Sequence, residues 1–351
     1  MHRHPPIFSP PMKNFPFPVL RCLRLLAVFL GLTAAVFGAK DKPVVGFSFD
    51  TLKEERWQHD RDTLEAKVKS LGGSLVAVSA NGDDSTQVRD IESLITKGVD
   101  VLVIVAHNGE ALKRAVGDAK AAGIPVIAYD RLILDCDVDL YVTFDNVKVG
   151  ALQAQYTVDH LPAGRMAKIV TVYGAPTDNN AKLVKEGQHS VLEPLVKAGK
   201  IQIVHADWAA DWSPANGKKI VNAAITKAGH DIDAVIASAD GVAGGCVQAL
   251  VEEKLAGRVI VTGQDAELAA CQRILRGTQT MTVYKPLQKL ADFAGQAAID
   301  LAKGKKVATT TTLDNRFKKV PSAFLDVVTV DKDNLMATVV ADGFQKAADL
   351  K

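Results

Sequence analysis

Asp130 and Arg131 follow directly on the apolar run PVIAY (125–129), so a carboxylate and a guanidinium stand at the tip of what reads as a buried strand. Side by side, the two groups offer acceptors and paired donors to one partner. The same mixture recurs after other apolar runs. Arg56 and Trp57 lie in KEERWQHDRD (53–62), Asp178 and Asn180 in GAPTDNNAK (174–182), Trp212 in DWAADW (207–212), Asp265 in QDAE (264–267), and Lys285 in the step Tyr284-Lys285-Pro286. A ring carrying many hydroxyls needs acceptors, donors and a flat apolar face together, and Asp, Asn, Arg, Lys and Trp supply all three. The chemistry these residues suit is a cleft for a polyol.

Each residue also has a plainer role open to it. Asp130 and Arg131 can be a surface ion pair, which is common and weak. Trp57 can pack against its own domain. Asp178 is well placed to cap a helix, whereas Asn180, two residues on, is not explained by capping. Asp265 suits cap and ligand equally, and Lys285 can be a solvated charge at a hinge. Trp212 lies in a loop ahead of a helix, where a large aromatic wants a reason.

The elements that must hold these tips alternate along the chain. Strand-like runs rich in β-branched residues fall at 44–49, 75–80, 101–106, 125–129, 141–144, 167–173, 201–206, 234–238, 259–263, 281–284 and 324–330. Helix-length segments such as 54–70, 86–97 and 110–122, with apolar residues at three and four spacing, separate them. Near-continuous apolar strands alternating with helices make an α/β fold of doubly wound parallel sheets covered on both faces. Eleven strands are too many for one compact sheet, and the alternation stumbles at FDNVKVG (144–150). Two lobes follow: residues 43–146 plus 284–309 in the first, 147–283 plus 310–351 in the second. The connections fall near 144–150 and 282–286, with a third expected in TTTTLDNR (309–316). Several crossings of this kind make a hinge. In open α/β sheets ligands bind beyond the carboxyl ends of the strands, where the polar tips are.

Of 351 residues, 48% are hydrophobic and 23% charged, the balance of a globular chain long enough for two such lobes. Residues 1–38 differ: a basic, Pro-rich lead precedes LLAVFLGLTAAVFG (25–38), a run shorter than a bilayer span and typical of a secretory signal peptide. Its removal takes away Arg3, Lys13, Arg21 and Arg24 and no acid, shifting the formal charge from +2 to −2. No basic excess remains to favour nucleic acid or a membrane surface. Cys136, Cys246 and Cys271 stay behind without metal-like spacing; free buried thiols are the expectation, with Cys246–Cys271 as the disulfide alternative.

The stretches ERWQHDRD, GVDVLVIVAHNG, IAYDR, FDNVKVG, DNNAK, GQDAELA and GTQTMTVYKP, in this order and spacing, resemble the periplasmic sugar-binding proteins of ABC transporters, in their ribose- and xylose-type branch. Together they are distributed over the chain from Pro43 to about residue 305. The resemblance implies the type I periplasmic binding fold, a periplasmic location, and a monomer that closes on one monosaccharide, D-xylose or a related sugar, and delivers it to a membrane permease. It implies no cofactor, metal or catalytic residue. It places Arg56, Asp130, Arg131 and Lys285 in the sugar site, with Asp178, Asn180, Trp212 and Asp265 from the other lobe and Trp57 as a further stacking surface. In one place the chain departs from the branch: Ala239 stands where the branch has an asparagine, leaving the neighbouring Asp240 as the side chain to compensate.

Two alternatives stay open on the residues. The first is a sensory subunit that binds sugar and docks on a chemoreceptor or histidine kinase. The second is a glycoside-acting enzyme using Asp130 with Asp178 or Asp265. Against the enzyme, the accompanying Arg and Lys should keep the carboxylates ionised, and GxGxxG, GK[ST] and GxSxG motifs are missing. A DNA-binding repressor would need a helix-turn-helix where the apolar leader stands.

Overall fold

Short runs of Val, Ile, Leu, Tyr and Phe form the strands, and the segments of three- and four-residue apolar spacing form the helices. The computed structural model describes residues 41–351 apart from Thr310, together with His2, so the expected signal peptide lies outside the described residues but for His2. The first stretch builds β1 (Val44–Phe49), α1 (Glu55–Ser70), β2 (Ser74–Ser79), α2 (Asp84–Thr96), β3 (Val101–Ile104), α3 (Lys113–Ala121), β4 (Val126–Tyr129) and β5 (Leu140–Phe144). The next builds α4 (Asn146–Asp159), β6 (Ala167–Tyr173), α5 (Asn179–Lys197), β7 (Ile201–Trp208), α6 (Pro214–Ala228), β8 (Ala234–Ala237), α7 (Asp240–Glu252), β9 (Ile260–Val261), α8 (Leu268–Arg276) and β10 (Met281–Tyr284). α9 (Leu287–Ala302), β11 (Thr311–Asp314), β12 (Lys319–Leu325) and β13 (Val328–Asp331) follow.

Parallel pairing orders the first lobe β2-β1-β3-β4-β5. The second repeats the pattern as β7-β6-β8-β9, and β10 continues it through the Gln264–Val283 bridge. In each lobe the order reverses beside its first strand, which opens a crevice at the strands' carboxyl ends. Both faces of each sheet are covered. Along β3, Val101 and Val103 join one buried cluster while Leu102 and Ile104 join another. On β8, Val235 and Ala237 pack with Ile220 and Val242, and Ala234 and Ile236 with Leu192. Covering both faces is why these strands read as unbroken apolar runs.

Helix α9 returns to the first lobe, where Leu290, Ala294 and Ala298 pack with Phe47 and Leu64. The lobe boundary expected at residue 310 is corrected by the strands that follow. β11 and β12 pair antiparallel, and β12 pairs in parallel with β5 from Ser322↔Tyr141 to Leu325↔Phe144, so 311–325 belongs to the first sheet. The run 324–330 is two strands, not one: the chain crosses at Asp326 and Val327, and β13 then pairs with β10 in the second lobe. The polar run that suggested a hinge is an edge strand, with Thr311 and Leu313 half-buried and Thr312 and Asp314 exposed.

Three aspartates at strand exits start helices: Asp83 accepts from Thr86 N at 2.6 Å, Asp145 from Lys148 N at 2.9 Å and Asp178 from Asn180 N at 2.8 Å. Helices α4 and α5 touch backbone to backbone: a Cβ on Gly150 would stand 1.9 Å from Val184 O, and one on Gly187 equally close to Val147 O. Glycine at both positions fixes the helix whose first turn carries Asn180 against the crossing segment.

Candidate functional site

The loop after β1 leads into α1, whose first turn brings Arg56 and Trp57 to the crevice. Arg56 reaches Asp60 (Nε–Oδ2 3.2 Å), Asp130 (Nη2–Oδ2 2.9 Å) and, from the other lobe, Asp265 (Nη1–Oδ1 3.3 Å). Its guanidinium carbon lies 4.1 Å from the centre of the Trp57 ring, and that of Arg131 lies 5.2 Å away. Trp57 also meets Phe49 edge-on and is buried, so it packs into its lobe and faces the crevice at once.

β4 delivers Asp130 and Arg131, which turn to different partners. The carbonyl of Asp130 accepts from Tyr141 Oη (3.1 Å), Thr143 Oγ1 (2.7 Å) and Asn180 Nδ2 (2.9 Å), and its Oδ1 accepts from the same amide at 3.0 Å. Arg131 binds Asp50 Oδ2 through Nη1 at 2.6 Å and Asp178 Oδ2 through Nε at 2.9 Å. Trp212 Nε1 donates to the same Asp178 oxygen at 3.2 Å. Lys285, at the second crossing, holds Asp265 at 3.3 Å and is only 3% exposed, so it is a buried cleft charge and not a solvated one.

Backbone strain gathers here. Asp130, Asp211, Trp212, Asp265 and Ala266 all have left-handed φ, from 52° to 93°, where non-glycine residues are uncommon. All nine candidate residues line one cavity between the lobes, of about 40 Å³ measured as space open to the centre of a water molecule. One water needs roughly 10–15 Å³ on that measure, so the space is that of a few waters, the scale of a small molecule. Glu54, Ala239, Gly241, Gln264 and Glu267 complete the wall. Three buried polar atoms of this wall have no hydrogen-bond partner: Glu54 Oε2, Trp57 Nε1 and Gln264 Oε1. Buried polar atoms are normally paired, so donors and acceptors left open around a cavity mark capacity for a ligand.

A model of the periplasmic binding protein domain matches residues 45–306. The chain belongs to the periplasmic binding protein family. The D-xylose-binding periplasmic protein of Escherichia coli (strain K12) is 47% identical to this binding protein over 328 residues, covering 93% of this chain and 98% of that one. The protein of the same description from Haemophilus influenzae is 47% identical, covering 91% and 96%. A crystal structure of a carbohydrate transporter solute-binding protein from Chloroflexus aurantiacus, in complex with D-glucose, superposes with a TM-score of 0.82 at 34% identity, covering 87% of this chain and 97% of that one. These relatives are described as binding proteins, and this chain, of the same family, is a binding protein and not an enzyme.

The electrostatics of the binding protein's cleft modify one expectation. Burial would raise the pKa of Asp130, but the charges of Arg56, Lys285 and Arg131 outweigh it and hold the carboxyl below its usual range. Asp178 goes the other way: burial raises it beyond what Arg131 restores. The cations therefore do not govern every acid equally. Asp240 does not compensate for Ala239 either. It is fully buried behind the wall, with its carboxylate held by Gln279 Nε2 (2.7 Å), Thr282 Oγ1 (2.9 Å) and Glu267 N (3.1 Å).

Glu54, Gln264 and Glu267 escaped the sequence reading. Their signal was adjacency: each lies within three residues of a candidate, at a strand exit already singled out. Cys136, Cys246 and Cys271 are buried free thiols, and burial pushes each up to about 12, which makes them unreactive. Among the described residues, no group of three or more His, Cys, Asp or Glu could hold a metal ion, and no helix is long and apolar enough to cross a membrane.

Proposed function

We propose that this chain captures one monosaccharide, D-xylose or a close relative, between its lobes and delivers it to the permease of an ABC transporter from the periplasm. In this reading Arg56, Asp130, Arg131 and Lys285 with Asp178, Asn180, Asp265 and Trp212 hold the sugar, and Trp57 backs it. The observation that carries the reading is the buried wall of charged, amide and indole groups with hydrogen-bonding atoms still open, in a chain 47% identical to D-xylose-binding relatives.

The mechanism is a two-state closure. Three strands of chain cross between the lobes, and a ligand that touches both strand-tip walls binds the closed form better than the open one. Residues 1–38 serve as the signal peptide, and a monomer presents the closed surface to the permease. Titration calorimetry against D-xylose, with D-ribose, L-arabinose and D-galactose alongside, tests the reading. One-to-one binding of D-xylose is expected, and silence with all four would overturn it.

A further inference from the structure

The acids of the cavity wall are not equally engaged. Asp130 is bound to Arg56 and Asn180, Asp178 to Arg131 and Trp212, and Asp265 to Arg56 and Lys285. Glu54 differs: its Oε2 is buried in the wall with no partner. Burial raises its pKa against the opposing charge of Arg131, the direction expected of a carboxyl awaiting a hydrogen-bond partner.

The other lobe leaves space in the same wall. Ala239 is the N-cap of α7 and has extended backbone (φ −149°, ψ 159°), a position that favours Asn, Asp, Ser or Thr, yet no side chain caps the helix. Gly241 follows without a positive φ, so its backbone does not require glycine; a Cβ there would meet only the Glu267 carboxylate, at 3.7 and 3.9 Å. Two small residues thus keep a corner open beside a second carboxylate.

We propose that Glu54 is a sugar-binding residue and that, with Ala239, Gly241 and Glu267, it accommodates the hydroxymethyl arm that an aldohexose ring carries and an aldopentose ring lacks. The hydroxyl of that arm donates to Glu54 or Glu267, and its methylene fills the space beside Ala239 and Gly241. The proposal rests on the monosaccharide reading and extends it to hexoses. D-Glucose is the probe, because its pyranose ring differs from that of D-xylose by this arm alone.

Calorimetry of the purified protein with D-xylose and D-glucose, for the parent and for Glu54→Ala, Glu54→Gln and Gly241→Val, is the test. The parent should bind D-glucose within about tenfold of D-xylose. Glu54→Ala should weaken D-glucose at least about tenfold more than D-xylose, the worth of a hydrogen bond to a carboxylate. Glu54→Gln, which retains an acceptor, should recover part of the loss. Gly241→Val, which fills the corner from the other lobe, should also penalise D-glucose selectively and carries the test if a Glu54 variant fails to fold. D-Xylose binding with D-glucose silent, or equal losses for both sugars in the variants, would remove the hexose subsite alone. Silence of the parent with both sugars would remove the monosaccharide reading as well.

Discussion

Arg131 spans the cleft: its Nε lies 2.9 Å from Asp178 Oδ2 in the second lobe, while its Nη1 holds Asp50 Oδ2 at 2.6 Å in the first. Truncating one member of a buried ionic group strands the others, at about 3–5 kcal/mol. In the open form water reaches Asp178, so only the Asp50 side of that penalty persists. Arg131→Ala should therefore weaken D-xylose binding by about 100-fold or more, and should also lower the melting temperature of the empty protein. Calorimetry and thermal melts read the two effects, and parental affinity would take Arg131 out of the site.

Asn180 offers a cleaner view of closure. Its amide donates to the carbonyl and to Oδ1 of Asp130, at 2.9 and 3.0 Å, from the opposite lobe. Two neutral or charge-assisted bonds are worth about 1–2 kcal/mol net, and both belong to the closed form. Asn180→Ala should reduce affinity about tenfold while the empty protein melts as the parent does. A matching loss of melting temperature would make Asn180 a structural residue of the open form instead.

Why some of this was legible and some was not follows from particular residues. The strands could be read because β1, β3, β4, β6 and β8 are buried on both faces and carry nearly continuous apolar runs. β11 was hidden because an edge strand with exposed Thr312 and Asp314 has the composition of a loop. β12 and β13 merged into one apparent run because the crossing between them, Asp326 and Val327, is short and holds no Gly or Pro. Asp130 and Arg131 stood out as charges at the end of an apolar run. Their partners did not, since Asp50 meets Arg131 only through the sheet that sets β1 and β4 on either side of β3, and Asn180 and Asp178 meet the pair only across the two lobes. Glu54 stands at the start of α1, where an acid is ordinary, and only its buried, unpartnered oxygen separates it from that role.

His107 ties stability to pH. Its Nδ1 lies 2.8 Å from Asp50 Oδ1, and that hydrogen bond, opposed by burial, raises the imidazole pKa. The folded state then holds the proton more tightly than the unfolded chain. This contribution is fully present below the unfolded value of about 6.5 and is lost as pH rises through the raised folded value. Melting temperatures of the empty protein should fall as pH climbs above about 6.5, and His107→Gln should flatten that fall. His59 beside Glu55 shifts in the same direction, so some slope should persist. Parallel profiles for parent and variant would show that His107 does not carry the effect.

Trp212 is held by shape more than by bonds. A Cβ on Gly174 would stand 2.1 Å from Cη2 of its ring, so the indole lies flat against a bare backbone at the exit of β6. Its own φ of 53°, and 55° at Asp211, sit in the left-handed region, which the Nε1 bond to Asp178 and the packing on Gly174 together maintain. Gly174→Ala should push the ring off this seat and disturb its Nε1 bond to Asp178, leaving the other polar groups of the wall in place. If the indole face is the platform for the sugar, affinity should fall by about tenfold or more, ~1.4 kcal/mol. Trp212→Ala, which removes the platform, should lose more. Trp212→Phe keeps a face but not the donor and should fall between parent and Trp212→Ala. Parental affinity in Gly174→Ala, measured by calorimetry with an unchanged melting temperature, would show that the ligand does not use the ring where the fold has placed it.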